Sequence, residues 1–84
     1  MIEVHTIAAP ERRMLLELLA SERAGEDALR IGPYLGRTSI AERLSAMHMA
    51  CWCDPEQLVL TELGRHVAEA LAERLVATPM SHAC

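Results

Sequence analysis

The chain has 84 residues, enough for one domain and too few for two; a chain this short buries only about 60% of its unfolded surface, so the core must be efficient. Hydrophobic residues make up 51%, yet there is one Trp, one Tyr and no Phe, so the core must come from Leu, Ala, Val, Ile and Met, which favours packed helices over a sandwich. Eight arginines and no lysine face twelve carboxylates, for a formal charge of −4, which counts against a nucleic-acid module unless the arginines gather on one face.

No run approaches the length of a spanning helix, and Met-Ile-Glu-Val-His lacks the layout of a signal peptide, so a cytoplasmic protein without membrane contact is expected. Three cysteines, two of them one residue apart, do not make a secretory framework, and reduced thiols are the simpler expectation.

In chain order, Ile2 and Val4 alternate with Glu3 and His5 as a brief terminal strand could. Pro10 suits the first turn of a helix, and Met14, Leu15, Leu18 and Leu19 follow at helical spacing, predicting a helix that runs to about Glu22 and stops near Gly25. Ala28, Leu29 and Ile31 suggest a short helix broken by Gly32 and Pro33, and Tyr34, Leu35 and Gly36 read as a turn. Thr38 or Ser39 can cap the next helix, with Glu42 completing a capping box, and Ile40, Ala41, Leu44, Met47 and Cys51 form its inward stripe.

Cys51-Trp52-Cys53, then Asp54-Pro55-Glu56-Gln57, then Leu58-Val59-Leu60-Thr61 reads as strand, type I turn and strand. A long helix from Pro55, capped by Asp54, competes with the hairpin; the strand character of Leu58 to Thr61 and the presence of Gly64 favour the hairpin. Thr61 and Glu62 open the last helix, whose Leu63, Val67, Ala70, Leu71 and Leu75 share one face and which Pro79 should end. Residues 1–9 and 78–84 are expected to be flexible flanks of a single domain.

The run Leu60-Thr61-Glu62-Leu63-Gly64-Arg65-His66-Val67, preceded by the hairpin and a helix, resembles the segment after the wing in bacterial winged helix-turn-helix regulators of the multiple-antibiotic-resistance repressor type, which carry Leu-Thr, then Gly-Arg and an apolar helix. The resemblance spans roughly residues 12 to 76 and implies a mainly α fold with a small β-hairpin. In that family the helix before the wing lies in the major groove, so the resemblance assigns recognition to the segment from Arg37 to Met49. With Ile40, Leu44 and Met47 inward, Arg37, Thr38, Ser39, Glu42 and Arg43 are the candidate contacts to double-stranded DNA, the two arginines to bases or phosphates and Glu42 to a cytosine amino group. Leu71, Leu75 and Val76 could form the seam of a homodimer that reads two half-sites.

A domain used for protein contact is the rival reading, since the net charge is negative, the hairpin turn is acidic, and Trp52, pointing opposite to two inward cysteines, would be an exposed partner anchor. His48, Cys51 and Cys53 have a spacing that thiophilic metals accept, and Cys51-Trp52-Cys53-Asp54 is similar to the Cys-x-Cys-Asp of a metal-sensing repressor. A fourth ligand would have to come from His66, His82 or Cys84, and packing of the two cysteines as small hydrophobes is the expectation, with no metal or other cofactor. The serines lie in no nucleophile elbow and no phosphate loop is present, so no enzyme is predicted.

Overall fold

A computed structural model describes residues 7–32 and 35–82, with the side chains of residues 35 and 75–82 outside the described set. Three helices and a three-stranded antiparallel sheet make the fold: α1 (Ala9–Arg23), β1 (Leu29–Arg30), α2 (Leu35–Ala46), β2 (Ala50–Asp54), β3 (Gln57–Leu60) and α3 (Glu62–His82). The strand order is β1-β3-β2, so the hairpin β2–β3 gains a third strand from the segment between α1 and α2. Helix α1 is the hub, packing on α2, α3, β1 and β3.

α1 starts as its sequence predicts, with Pro10 in the first turn, where a missing N–H costs nothing. It buries Met14, Leu15, Leu18 and Leu19 and ends in a Schellman motif. The Glu26 N–H donates to Ser21 O and the Gly25 N–H to Glu22 O, with Gly25 at φ 85°, a conformation that costs glycine little. α2 closes in the same way: the Met49 N–H donates to Leu44 O and the His48 N–H to Ser45 O, but here His48 occupies the left-handed position at φ 62°. Leu44 and Met49, the apolar pair that accompanies this motif, are both fully buried.

The hairpin forms rather than the long helix from Pro55. Asp54 Oδ1 accepts from the Glu56 N–H at 2.8 Å across the turn, and Trp52 pairs with Leu58, with an irregularity before Asp54↔Gln57. Five of the sequence expectations need correction. The segment around Leu29 is a strand, not a short helix: Leu29 pairs with Leu58, and the Ile31 N–H finds Glu56 O at 2.7 Å, so the sheet satisfies a backbone that a run of three or four residues could not satisfy helically. As a result α1 and α2 are separated by β1 rather than by a short helix. α2 begins at Leu35, which puts Thr38 and Ser39 inside its first turns rather than at its cap. In the hairpin, Ala50, Leu58 and Leu60 are buried and Trp52 packs against the core, while Cys51 and Cys53 are exposed. Strand parity admits only one alternating set to the core face, and Leu58 and Leu60 outweigh two thiols. The backbone of α3 continues through Pro79 to His82, since a proline removes one helical hydrogen bond without obliging the last turn to stop.

The fifth correction is the buried face of α3, which is Gly64, Val67, Ala68 and Leu71, with Leu63 40% exposed and Ala70 exposed. The first turn sets this rotation. Thr61 caps α3, its Oγ1 accepting from the Gly64 N–H at 3.0 Å and donating to His48 O at 2.6 Å, while the Thr61 N–H donates to Met49 O at 3.1 Å. Gly64 then rests directly on the Met49 carbonyl, where an added Cβ would lie 1.7 Å from the oxygen. Ile7 is also in the core; the possible strand at residues 2–5 lies outside the described residues.

Two substitutions test these termini. Gly64→Ala should cost about 3 kcal/mol or more in urea unfolding, because relief requires backbone movement between α3 and the end of α2. His48→Gly should stabilise by about 1 kcal/mol, by relieving a left-handed non-glycine residue.

Candidate nucleic-acid interface

The residues assigned to DNA contact all lie on α2. Its inward side carries Ala41 and Leu44, fully buried, with Ile40 and Met47 packed at the margin of the core. The outward side is Gly36, Ser39, Glu42, Arg43 and Ala46, all exposed, with Arg37 and Thr38 half-buried at its flank. The spacing of three and four places Gly36, Ser39, Arg43 and Ala46 along one stripe. Apart from Glu42 and Arg43, these are small side chains.

Both α2 arginines are engaged with α1. Arg37 makes a parallel pair of hydrogen bonds to Glu17, Nη1 to Oε1 at 3.3 Å and Nη2 to Oε2 at 3.1 Å. Arg43 Nη1 donates to Glu11 Oε1 at 3.2 Å, and the two partners differ greatly in environment: the Arg43 side chain is 65% exposed, that of Glu11 only 4%. Glu11 Oε2 is buried and has no hydrogen-bond partner.

The remaining arginines do not join them as one basic face. Arg65, on α3, grips Glu22 near the other end of α1, Nε to Oε2 at 2.6 Å and Nη2 to Oε1 at 2.9 Å. That hydrogen bond holds the Glu22 carboxyl below the ordinary carboxylate range and raises the Arg65 guanidinium. Arg30, on β1, pairs with Glu56 of the hairpin turn at 3.0 Å, Arg12 Nη1 donates to Ile7 O, and Arg13 and Arg23 are exposed on α1. Glu11, Glu17 and Glu22 thus anchor one arginine each, two from α2 and one from α3.

Of the residues singled out for a partner, Trp52 is half-buried against the core, with its strand β2 at an edge of the sheet. Leu71 is buried within the chain's own core, and the Leu75 side chain lies outside the described set. Among the described residues no three His, Cys, Asp or Glu side chains converge as a metal-ligand set, and no helix is long and apolar enough to cross a membrane. Glu11 is the residue that sequence reasoning missed. Its signal is the spacing 11, 14, 15, 18, 19, which puts a carboxylate in the buried stripe of α1.

Compared with known proteins, the chain matches no family model, no curated protein and no solved structure.

The pairing of Arg43 with Glu11 separates a structural role from a binding role. Arg43→Ala removes the one donor to a buried carboxylate and should destabilise by about 1–3 kcal/mol in urea unfolding. Arg37→Ala removes an exposed pair and should cost less than about 1 kcal/mol. A smaller loss at Arg43 than at Arg37 would show that Glu11 does not depend on that bond.

Proposed function

We propose that the chain is a winged-helix-like DNA-binding protein, a transcriptional regulator acting as a homodimer, with α2 as the helix offered to the major groove. The observation that carries this reading is the exposed stripe of α2, whose small Gly36, Ser39 and Ala46 let the helix backbone approach a groove wall closely. The connectivity supports it: α2 leads into the hairpin, β1 adds to β3, and α3 leaves from the far end of β3. Ser39 supplies a donor to phosphate and Glu42 an acceptor for a cytosine amino group. Arg37 and Arg43 reach phosphate only by exchanging a carboxylate for it, so the electrostatic part of binding is small for one chain and a two-fold dimer doubles it. The backbone of α3 runs from Leu71, the last side chain described as buried, to His82, about 16 Å at 1.5 Å per residue, which is length for a dimer contact.

A protein-contact role is the second reading. It is favoured by the ion pairs that hold Arg30, Arg37, Arg43 and Arg65, the Asp54 and Glu56 carboxylates at the hairpin turn, and Trp52 on an edge strand.

Fluorescence anisotropy with random-sequence duplex DNA distinguishes them. The DNA reading expects affinity on the order of micromolar at low salt that falls steeply between about 50 and 200 mM. Ser39→Glu places a charge on the exposed stripe without touching the core, and should weaken binding about tenfold. No binding at low salt would overturn the DNA reading and leave the protein-contact one.

A further inference from the structure

β2 is an edge of the sheet, and the parity of the hairpin fixes which of its backbone groups face outward. The Thr61 N–H donates to Met49 O, so the alternation of an antiparallel ladder turns the backbone polar groups of Cys51 toward β3 and those of Trp52 away from it. β1 agrees: the Ile31 N–H takes Glu56 O, so Leu58, two residues on, bonds toward β1 and leaves Trp52 facing the free edge. On either side of Trp52 stand Cys51 and Cys53, both exposed free thiols, and Cys53 is the residue that the irregularity leaves without a partner on β3. The open edge is short, because Ala50 is only 3% exposed. From Ala50 to Cys53 it carries no lysine, arginine or proline, the residues that keep an edge strand from pairing with another.

We infer that this edge joins two copies of the chain under oxidising conditions: β2 pairs antiparallel with β2 of a second copy about a two-fold axis at Trp52, and Cys51 of each copy forms a disulfide with Cys53 of the other. In that register each Trp52 N–H donates to the other Trp52 carbonyl, an oxygen that accepts from the Cys51 thiol at 3.8 Å within the single chain. Cys51 then faces Cys53 as a non-hydrogen-bonded pair, whose Cα atoms sit about 4.5 Å apart, inside the range of about 4.4–6.8 Å that a disulfide spans. The antiparallel sense sets the acidic turn, with Asp54 and Glu56, beside His48 of the second copy and keeps the two turns at opposite ends of the contact. Two backbone hydrogen bonds do not offset the freedom lost on association, so reduced chains do not pair through β2 and the covalent bonds make the contact. The oxidant is a low-molecular-weight disulfide such as oxidised glutathione. The Cys51 thiolate attacks it and releases one thiol, and the Cys53 thiolate of the second copy displaces the other. For each bond formed, two protein thiols give up two electrons and two protons, and one small disulfide becomes two thiols. The contact lies apart from α3 and does not rest on DNA binding.

The test uses the full chain carrying Cys84→Ser, so that Cys51 and Cys53 are its only thiols, incubated with oxidised glutathione and resolved by non-reducing electrophoresis. A covalent dimer that dithiothreitol disperses is expected, with Cys51 linked to Cys53 in peptide mass mapping. Cys51→Ser and Cys53→Ser are then added to that chain singly; both positions are exposed, so the core is untouched. Each single variant sets a thiol opposite a serine and should give about tenfold less covalent dimer, whereas an equimolar mixture of the two sets Cys53 of one opposite Cys51 of the other and restores the link. The proposal is overturned if the chain with both cysteines gives no covalent dimer, or if the mixture gives no more of it than each single variant alone, which is the result of unordered collision or of another register.

Discussion

One carbonyl, that of Met49, ties the last half of the chain together. It accepts the N–H of Thr61, so the exit of β3 is fixed to the entry of β2, and it lies against Gly64 closely enough that no side chain fits between them. The same residue donates its own N–H back to Leu44, closing α2, and its side chain is fully buried. Thr61 adds a second strut through His48 O while capping α3. The end of α2, both hairpin strands and the start of α3 therefore meet where Thr61 and Gly64 contact His48 and Met49. The rotation of α3 about its axis follows from this contact, which is why Gly64 rather than Leu63 faces inward.

On the other side of the core, α1 packs on α2, α3, β1 and β3 and carries three ion pairs. Its buried stripe is apolar except at Glu11, and the three carboxylates Glu11, Glu17 and Glu22 each hold one arginine from a neighbouring helix. Two of these ties are substantially exposed, and pairs of that kind contribute little to stability. The Glu11 tie is different, because one partner is buried and only half of its hydrogen-bonding capacity is met. Apolar residues are abundant on α1, so a leucine at position 11 would pack without this cost. The carboxylate is a place where the chain departs from what packing alone selects, and such departures concentrate at sites with another use.

Much of the fold can be read from the sequence, and the errors have a common origin. Local chemistry was sufficient for α1, with Pro10 at its start and Gly25 at its end, for the Asp54-Pro55 turn, and for Thr61 as the opening of α3. What failed was orientation. Whether Cys51 and Cys53 or Trp52 point inward depends on the parity of the hairpin, and that is set by Leu58 and Leu60 on the partner strand. Which stripe of α3 is buried depends on a carbonyl twelve positions or more away in the chain. β1 exists only because β3 offers it partners, and Leu29–Arg30 has no strand signal of its own length. The candidate site shared this limit: the residues of α2 were identifiable, but the carboxylates waiting for Arg37 and Arg43 were not, because they belong to another helix.

These pairings bear on how the α2 face can work. An arginine free in solvent can give its charge to phosphate without structural consequence. Arg43 cannot, because its departure leaves the Glu11 carboxylate buried with no donor at either oxygen. Arg37 lacks this linkage, since Glu17 is well exposed and water replaces the arginine when it leaves. Two arginines six residues apart on one helix therefore differ in kind, one a conventional surface charge and the other a charge whose availability depends on a buried partner.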